Sequence, residues 1–478
     1  MNRRTMAASA LLLIVACAAL FTWRGGFHRR PVRVQLEADY DWAGFTARER
    51  EGLMLVASDL LELGGATLVS GLPADGGQGA RLHLWIRKEG AVFRIRAEWT
   101  GAHGRTRDFD IAEPDPRHGM LRLAEELGFG SREGERLMPT IPEDLLPLAE
   151  GMAITYAGSD GEFGAFAPRL DALLPREQDS PLAALVEGMV RYRSLLTRTP
   201  GDPERQALTR QSFQRCLALL PDYPRACIRF SLYLTDTGGQ REALDLLFEA
   251  VGVHPGSPGL HSALAYAART AGLLDGSKAA LLRVEELVGP GARQTGLAGL
   301  AENTWLYRGE WSRFAEGLGP GSDERQDPTG DFYRGYIRLL QRKPEEALPF
   351  LRRAEAGAAD SPQFALLAKV YRLSLERHEP EARTLLAELE STRTQLRVPD
   401  GEYTFKLAEA HAFIGDHATA LETALRAASQ GFECTAWYEA SPLLRPLQGL
   451  PRFKALVQHL RERQQLMESH FPTRRFER

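Results

Sequence analysis

Cysteine is scarce in this chain: Cys17, Cys216, Cys227 and Cys434 are the four thiols among 478 residues. They lack the paired CxxC spacing of a zinc site and the density of a disulfide-stapled scaffold, which excludes both classes. Cys216 and Cys227 fall on adjacent predicted helices, where a disulfide is the alternative to the preferred reading of two small buried hydrophobes. An excess of charge of one sign is missing too. With 26% charged residues and a net charge of -4, the chain carries no basic field for a nucleic-acid partner. The signatures HExxH and GxSxG, a Walker loop and a kinase set are all absent, which leaves no catalytic, cofactor or metal residues, and the chain reads as a non-enzyme. Gly317 to Gly321 is glycine-rich but lies between helices, so it reads as a loop, not a phosphate cradle. His411 and His417 do not share a helical face and read as exposed helix-end histidines. The acid pairs Glu285-Glu286 and Glu345-Glu346 read as solvated faces or helix starts.

What is there is a repeat. Ala243, Leu247, Ala250 and Pro255 place small, bulky and small residues before a proline, and Phe213, Cys216 and Pro221 precede them by one period of about 34 residues. Gly335, Ala347, Leu351 and Ala354 repeat the arrangement. Ala382 with Leu386, and Ala408 with Ala420, Ala424 and Ala427, do so again, with Gly415 at the turn. A small residue on each helix lets paired helices approach, and the large one fills the gap between neighbours. Between Gly256 and Pro320 the copies are poorer and glycines accumulate, so irregular or shortened hairpins are expected there.

This pattern resembles the tetratricopeptide (TPR) family. The resemblance implies an all-α superhelical solenoid that holds a protein or peptide partner in a groove lined by the first helix of each hairpin. The outward positions of those helices are Arg225, Phe332, Tyr336, Phe364, Tyr371, Glu402, Phe405 and Glu409. Aromatics there would supply contact area and the charges orientation.

At the N-terminus, Arg3 and Arg4 precede an uncharged stretch from Met6 to Trp23. At about 18 residues it is short for a spanning helix and long for a cleaved signal. Ile14, Val15, Ala16 and Cys17 resemble a bacterial lipobox with Cys17 as the lipidated residue, whereas Arg24, Arg29 and Arg30 resist translocation. A transmembrane anchor, a lipid anchor and a cleaved signal therefore all remain open, and the chain is expected to be membrane-anchored, facing the periplasm or cell exterior.

After residues 1–30, residues 31–138 change pattern. Val32, Val34 and Leu36 alternate as a strand, and Leu53, Val56, Leu60, Leu61 and Leu63 follow helical spacing up to Gly64-Gly65. Leu68-Val69 suggest a short strand, three meander strands run through Leu82, Phe93 and Arg105 to Ile111, and Met120 to Leu127 forms a helix. The order specifies a small α/β domain with helices packed on a mainly antiparallel sheet. Next to a membrane anchor and such repeats, it resembles the TolB N-terminal-like domain, which implies an extracytoplasmic interaction or sensing module.

Residues 139–180 read as a linker and irregular helical junction, punctuated by Pro139, Pro142 and Pro147, with a turn at Ser159-Asp160-Gly161-Glu162. The repeats occupy residues 181–431, and residues 432–478 form a capping segment in which Trp437 and Tyr438 read as a packed cap before a polar tail that frays after Arg463. The whole is an α+β multidomain chain whose expected function is that of a membrane-tethered TPR scaffold for protein-protein interaction in a bacterial envelope or signalling assembly. The alternatives are an extracytoplasmic sensor whose α/β domain binds a small molecule or cell-wall fragment, and an enzyme with an unrecognised site.

Overall fold

The computed structural model describes residues 32–38, 44–69, 79–101, 104–197, 202–289, 302–318, 327–357, 362–396 and 400–477. The N-terminal segment and Cys17 lie outside them. Strands β1 (Arg33–Ala38), β2 (Thr67–Val69), β3 (Gly79–Glu89), β4 (Val92–Thr100) and β5 (Thr106–Glu113) form a sheet in the order β2-β1-β3-β4-β5. The meander β3-β4-β5 is antiparallel and makes up most of the pairing, as expected, while β1 runs parallel to both β2 and β3, so the sheet is mixed. Helix α1 (Ala47–Leu63) makes this possible by returning the chain to the same end of the sheet. A reciprocal capping box between Thr46 and Glu49 starts α1, and Gly64 and Gly65, the latter at φ +91°, end it.

Alternation along the strands sorts the side chains onto two different faces. Leu82, Leu84, Ile86, Phe93, Ile95, Ala97 and Ile111 are buried with Leu53, Val56 and Leu60 of α1 and with Met120 and Leu123 of α2 (Pro116–Glu126). The opposite face carries Arg81, His83, Trp85, Arg87, Arg94, Arg96 and Glu98.

The region expected to be a linker and irregular helical junction contains two regular helices. After α3 (Arg132–Leu137), α4 (Leu145–Ala157) lies directly on α1: a Cβ at Gly52 would stand 1.9 Å from the Ala149 carbonyl oxygen. Ser159 and Glu162 form the capping box that opens α5 (Asp160–Leu173), so that run begins a helix where a turn was expected.

Hairpins then follow: α6 (Pro181–Thr197) with α7 (Pro203–Leu219), α8 (Pro224–Asp236) with α9 (Gln240–Val253), and α10 (Pro258–Thr270) with α11 (Leu274–Val288). Next come α12 (Asn303–Tyr307) with α13 (Trp311–Gly317), α14 (Pro328–Leu340) with α15 (Pro344–Ala356), α16 (Pro362–Leu375) with α17 (Glu379–Leu396), and α18 (Gly401–Phe413) with α19 (His417–Ser429). Proline opens many of these helices, where its missing N–H costs nothing. The expected shortening falls on α12 and α13, whereas α10 and α11 are full length. Gly335 shows why small residues recur: a Cβ there would lie 2.9 Å from Leu351. In every hairpin from α8 to α19 the turn between the two paired helices holds one residue at positive φ, namely Gly238, Gly272, Gly309, Arg342, Arg377 or Gly415.

The C-terminal segment does not fray. After α20 (Thr435–Ala440), α21 (Pro451–His470) runs through Arg463 and delivers Phe471 and Phe476 onto Phe248 of α9, with ring centroids 5.7 and 4.9 Å apart. Gln240 donates to the Gly431 carbonyl, and the Glu433 amide donates to the Thr270 carbonyl at 2.8 Å. The end of the chain thus closes back on its middle repeats. Cys216, Cys227 and Cys434 are buried free thiols.

Candidate functional site

The inward helices bring most of the expected groove residues together, but into a core. Phe332, Tyr336, Tyr371, Phe405 and Glu409 are fully buried, the Glu402 side chain is 11% exposed, and Phe364 packs partly buried against Phe332 at 5.1 Å. Tyr336 stacks on Phe332 at 5.8 Å and meets Tyr371 at 6.5 Å, while Phe405 lies 4.6 Å from Tyr438 of the closing segment. These side chains fill the interior instead of lining an open aromatic groove. Periodicity marks the inward face of each helix, but only the curvature of the stack decides what covers that face. Trp437 and Tyr438 pack in the same core. His411, expected at an exposed helix end, is buried with Glu390 3.4 Å away, whereas His417 is exposed.

A polar string crosses this interior. Arg269 donates to Glu402 at 2.6 Å, and Asn303 and Tyr307 donate to the other oxygen of the same carboxylate, each at 2.6 Å. One turn further along α18, Lys406 sits among the rings of Tyr307, Tyr333 and Tyr336, 5.5, 5.2 and 4.8 Å from their centroids. Glu409 accepts from Tyr336 and Ser441. Burial lowers the Lys406 pKa and raises that of Glu409. This enclosed string rigidifies the stack.

Arg225 stands apart, at the seam between the α/β domain and the repeats. Its Nε donates to Asp59 Oδ1 at 2.6 Å, Nη1 to the Tyr156 hydroxyl at 2.8 Å and Nη2 to Ser58 at 3.0 Å. Tyr223 donates to the second oxygen of Asp59. Further contacts extend the seam: Ser257 donates to Glu62, Thr67 to the Gly256 carbonyl at 2.8 Å, and Arg33 to the Glu286 carbonyl at 2.6 Å.

Beside this seam is a patch that sequence reasoning missed. Tyr156 of α4 is 42% exposed, and the guanidinium of Arg229, one turn beyond Arg225, lies 3.8 Å from its ring centroid. Arg229 also donates from Nε to the Tyr156 hydroxyl at 3.0 Å, and among the described residues it has no carboxylate partner. Desolvation lowers its pKa, which marks a cation short of counter-charge. Tyr156 sits in the segment read as a junction, and nothing in the sequence pairs it with α8. Nearby, Asp236 accepts from Tyr192 and, at 2.7 Å, from Tyr266, which ties three successive first helices together.

Among the described residues no group of three His, Cys, Asp or Glu could hold a metal ion, and no helix is long and apolar enough to cross a membrane. No protein-family model matches the chain. No curated protein matches it either. A solved structure with some likeness is the crystal structure described as the P58(IPK) TPR domain, which is 11% identical, covers 74% of this chain and 95% of that one, and has a TM-score of 0.21. At that score the likeness carries no argument, and the repeat architecture rests on the hairpins themselves. The chain is a small α/β domain followed by an all-α, TPR-like helical solenoid.

Proposed function

We propose that this protein is a scaffold for protein-protein interaction, with its partner engaging the lip of the seam between α4 and α8 at Tyr156 and Arg229. The observation that carries the reading is the seam. There the repeats already hold one folded protein surface, the α/β domain, through charge-assisted bonds centred on Arg225. Arg229 repeats that chemistry one turn away with its charge unspent, beside an exposed aromatic, the combination that anchors interfaces. The enclosed interior leaves the lip, not the aromatic core, as the place where a partner would dock. Residues 1–30 would tether the scaffold to a membrane, as a transmembrane or lipid anchor through Cys17, with the bulk of the chain on the periplasmic or outer side of a bacterial envelope.

In-cell crosslinking of a C-terminally tagged chain tests the scaffold, with a Tyr156→Ala/Arg229→Glu variant beside the parent. A small partner set captured by the parent and lost by an equally abundant variant supports it, and identical capture by both overturns the lip. Alkaline extraction of membranes tests the tether: a chain released as readily as a peripheral protein would exclude an integral anchor.

A further inference from the structure

The last repeat hairpin is capped without the end of α21. Tyr438 packs on Phe405 of α18 and donates to the Ala424 carbonyl of α19 at 3.3 Å, and Phe453 of α21 lies 6.5 Å from Tyr438. The apolar face that a terminal repeat must cover is therefore closed by α20 and the first half of α21. From Arg461 to His470 no residue of α21 is fully buried. Between that half of the helix and the start of α9 lies an open cavity of about 390 Å³, lined by Gly238, Gln240, Asp245, Arg463 and Met467 among others. Beyond it, Phe471 and Phe476, each 2% exposed, seat on two hairpins far from the end of the stack. Phe471 stacks on Phe248 of α9 with an interplanar angle of 9°, Phe476 meets the same ring edge-on at 71°, and the Arg475 guanidinium lies 4.2 Å from its centroid. Gly276 in α11 completes the socket: a Cβ there would stand 2.6 Å from the Phe476 ring. Glycine weakens a helix, and here its missing side chain admits that ring. Among the described residues, residues 471–476 make no hydrogen bond or ion pair to the repeats.

We infer that residues 471–476 are a displaceable strap, and that the socket of Phe248 and Gly276 beneath it docks a segment of a partner protein with the strap's own chemistry. The occupant seen in the socket defines that chemistry: two aromatic residues five positions apart, with an arginine just before the second. An element bonded to the repeats through its backbone would have to break those bonds to leave. This one leaves with its turn intact, because the Arg475 and Phe476 amides donate to the Pro472 and Thr473 carbonyls inside it, at 2.8 and 2.9 Å. The ion pair of Arg463 with Glu433 at 2.7 Å holds the middle of α21 and marks the point beyond which the strap lifts. A strap on the same chain competes at high effective concentration, so the socket stays shut to weak binders and opens to a segment that binds more tightly. This inference rests on the scaffold reading and supplies it with a second, gated partner surface.

The test is fluorescence anisotropy with a labelled peptide copying residues 467–477. The full parent chain is compared with Phe471→Ala/Phe476→Ala, which empties the socket, and with the same double variant carrying Gly276→Leu, which fills it. Phe476→Ala alone opens the Gly276 side and keeps Phe471 seated, so the result does not hang on the folding of the double variant. The expected result is saturable binding to the emptied chain, about tenfold or more tighter than to the parent, with Phe476→Ala between them. Gly276→Leu in the emptied chain, or alanine at both phenylalanines of the peptide, should abolish it. No saturable binding to either opened chain, equal binding by the parent, or binding that survives Gly276→Leu overturns the inference. A parent that dimerises in light scattering, with the dimer lost in Phe471→Ala/Phe476→Ala, assigns the socket to a second copy of the chain and also overturns it. The emptied variant in the crosslinking experiment separates the two readings. Partners unchanged there but lost in Tyr156→Ala/Arg229→Glu sink the strap and leave the scaffold standing, whereas partners unchanged in both sink both surfaces.

Discussion

Arg225 and Asp59, 166 residues apart in the chain, meet at 2.6 Å in the seam that joins the α/β domain to the repeats. Asp59 is 1% exposed, and Tyr223 and Arg225 are the partners that make its charge tolerable there. Removing one partner leaves a buried charge uncompensated. Arg225→Ala should cost about 3–5 kcal/mol in urea denaturation, whereas the apolar pair Asp59→Leu/Arg225→Met should cost clearly less. Equal losses from the two would show that the seam is held by shape and not by this pair.

The same seam makes stability depend on pH. Desolvation raises the Glu62 carboxyl from 4.5 to about 7, with the bond from Ser257 opposing it and the charge of Asp59 adding to it, while Arg225 opposes. Asp59 is also raised, again by desolvation, against the pull of Arg225 and Tyr223. A carboxyl whose folded pKa is raised contributes stability that is full below its unfolded value and is lost as pH rises through the folded one. The melting temperature should therefore fall between about pH 5 and pH 8, and Glu62→Gln should flatten that slope. A parent whose melting temperature rises across this window would contradict the assignment.

Tyr336 separates packing from hydrogen bonding in the interior. Tyr336→Phe keeps the ring and leaves Glu409 one donor short, at an expected cost of about 1–3 kcal/mol. Tyr336→Ala also opens a cavity beside Phe332 and Tyr371 and should cost about 3–5 kcal/mol. If Tyr336 faced an open groove, both changes would be nearly neutral in thermal melts.

Two hairpin turns use arginine where their neighbours use glycine. Arg342 at φ 60° and Arg377 at φ 65° hold the left-handed conformation that Gly238, Gly272, Gly309 and Gly415 adopt in the equivalent turns. An L side chain pays roughly 1–2 kcal/mol there, partly offset by glycine's larger unfolded-state entropy. Arg377→Gly and Arg342→Gly should each stabilise by a few tenths to about 1 kcal/mol, read as a higher denaturation midpoint with an unchanged m-value. Destabilisation would show that the arginine side chains hold the turns.

Local signals carried the reading of elements a long way. Alternation in Leu82, Leu84 and Ile86 marked a strand, and Gly64-Gly65 marked a helix end, because both patterns reflect neighbours in the chain. The small-large-small pattern located Gly335, Ala347 and Leu351 as a packed hairpin for the same reason. Glycine and proline between Pro139 and Gly164 suggested a linker, yet Gly52 and Ala149 show two helices in backbone contact there, an attraction between segments far apart in sequence. The polar tail after Arg463 holds Phe471 and Phe476, whose destination on Phe248 no local pattern announces.

The sequence by itself determined the strands of the α/β domain, the hairpin period and the small residues at which paired helices approach, since these follow from side-chain spacing along one segment. Only the tertiary structure decided what each inward face meets. It turned Tyr336, Tyr371 and Phe405 into core, set Arg225 against Asp59, and brought Arg229 onto the exposed ring of Tyr156. The physical reason is that burial depends on the curvature of the whole stack and on the return of the chain end, which are sums over contacts between distant residues.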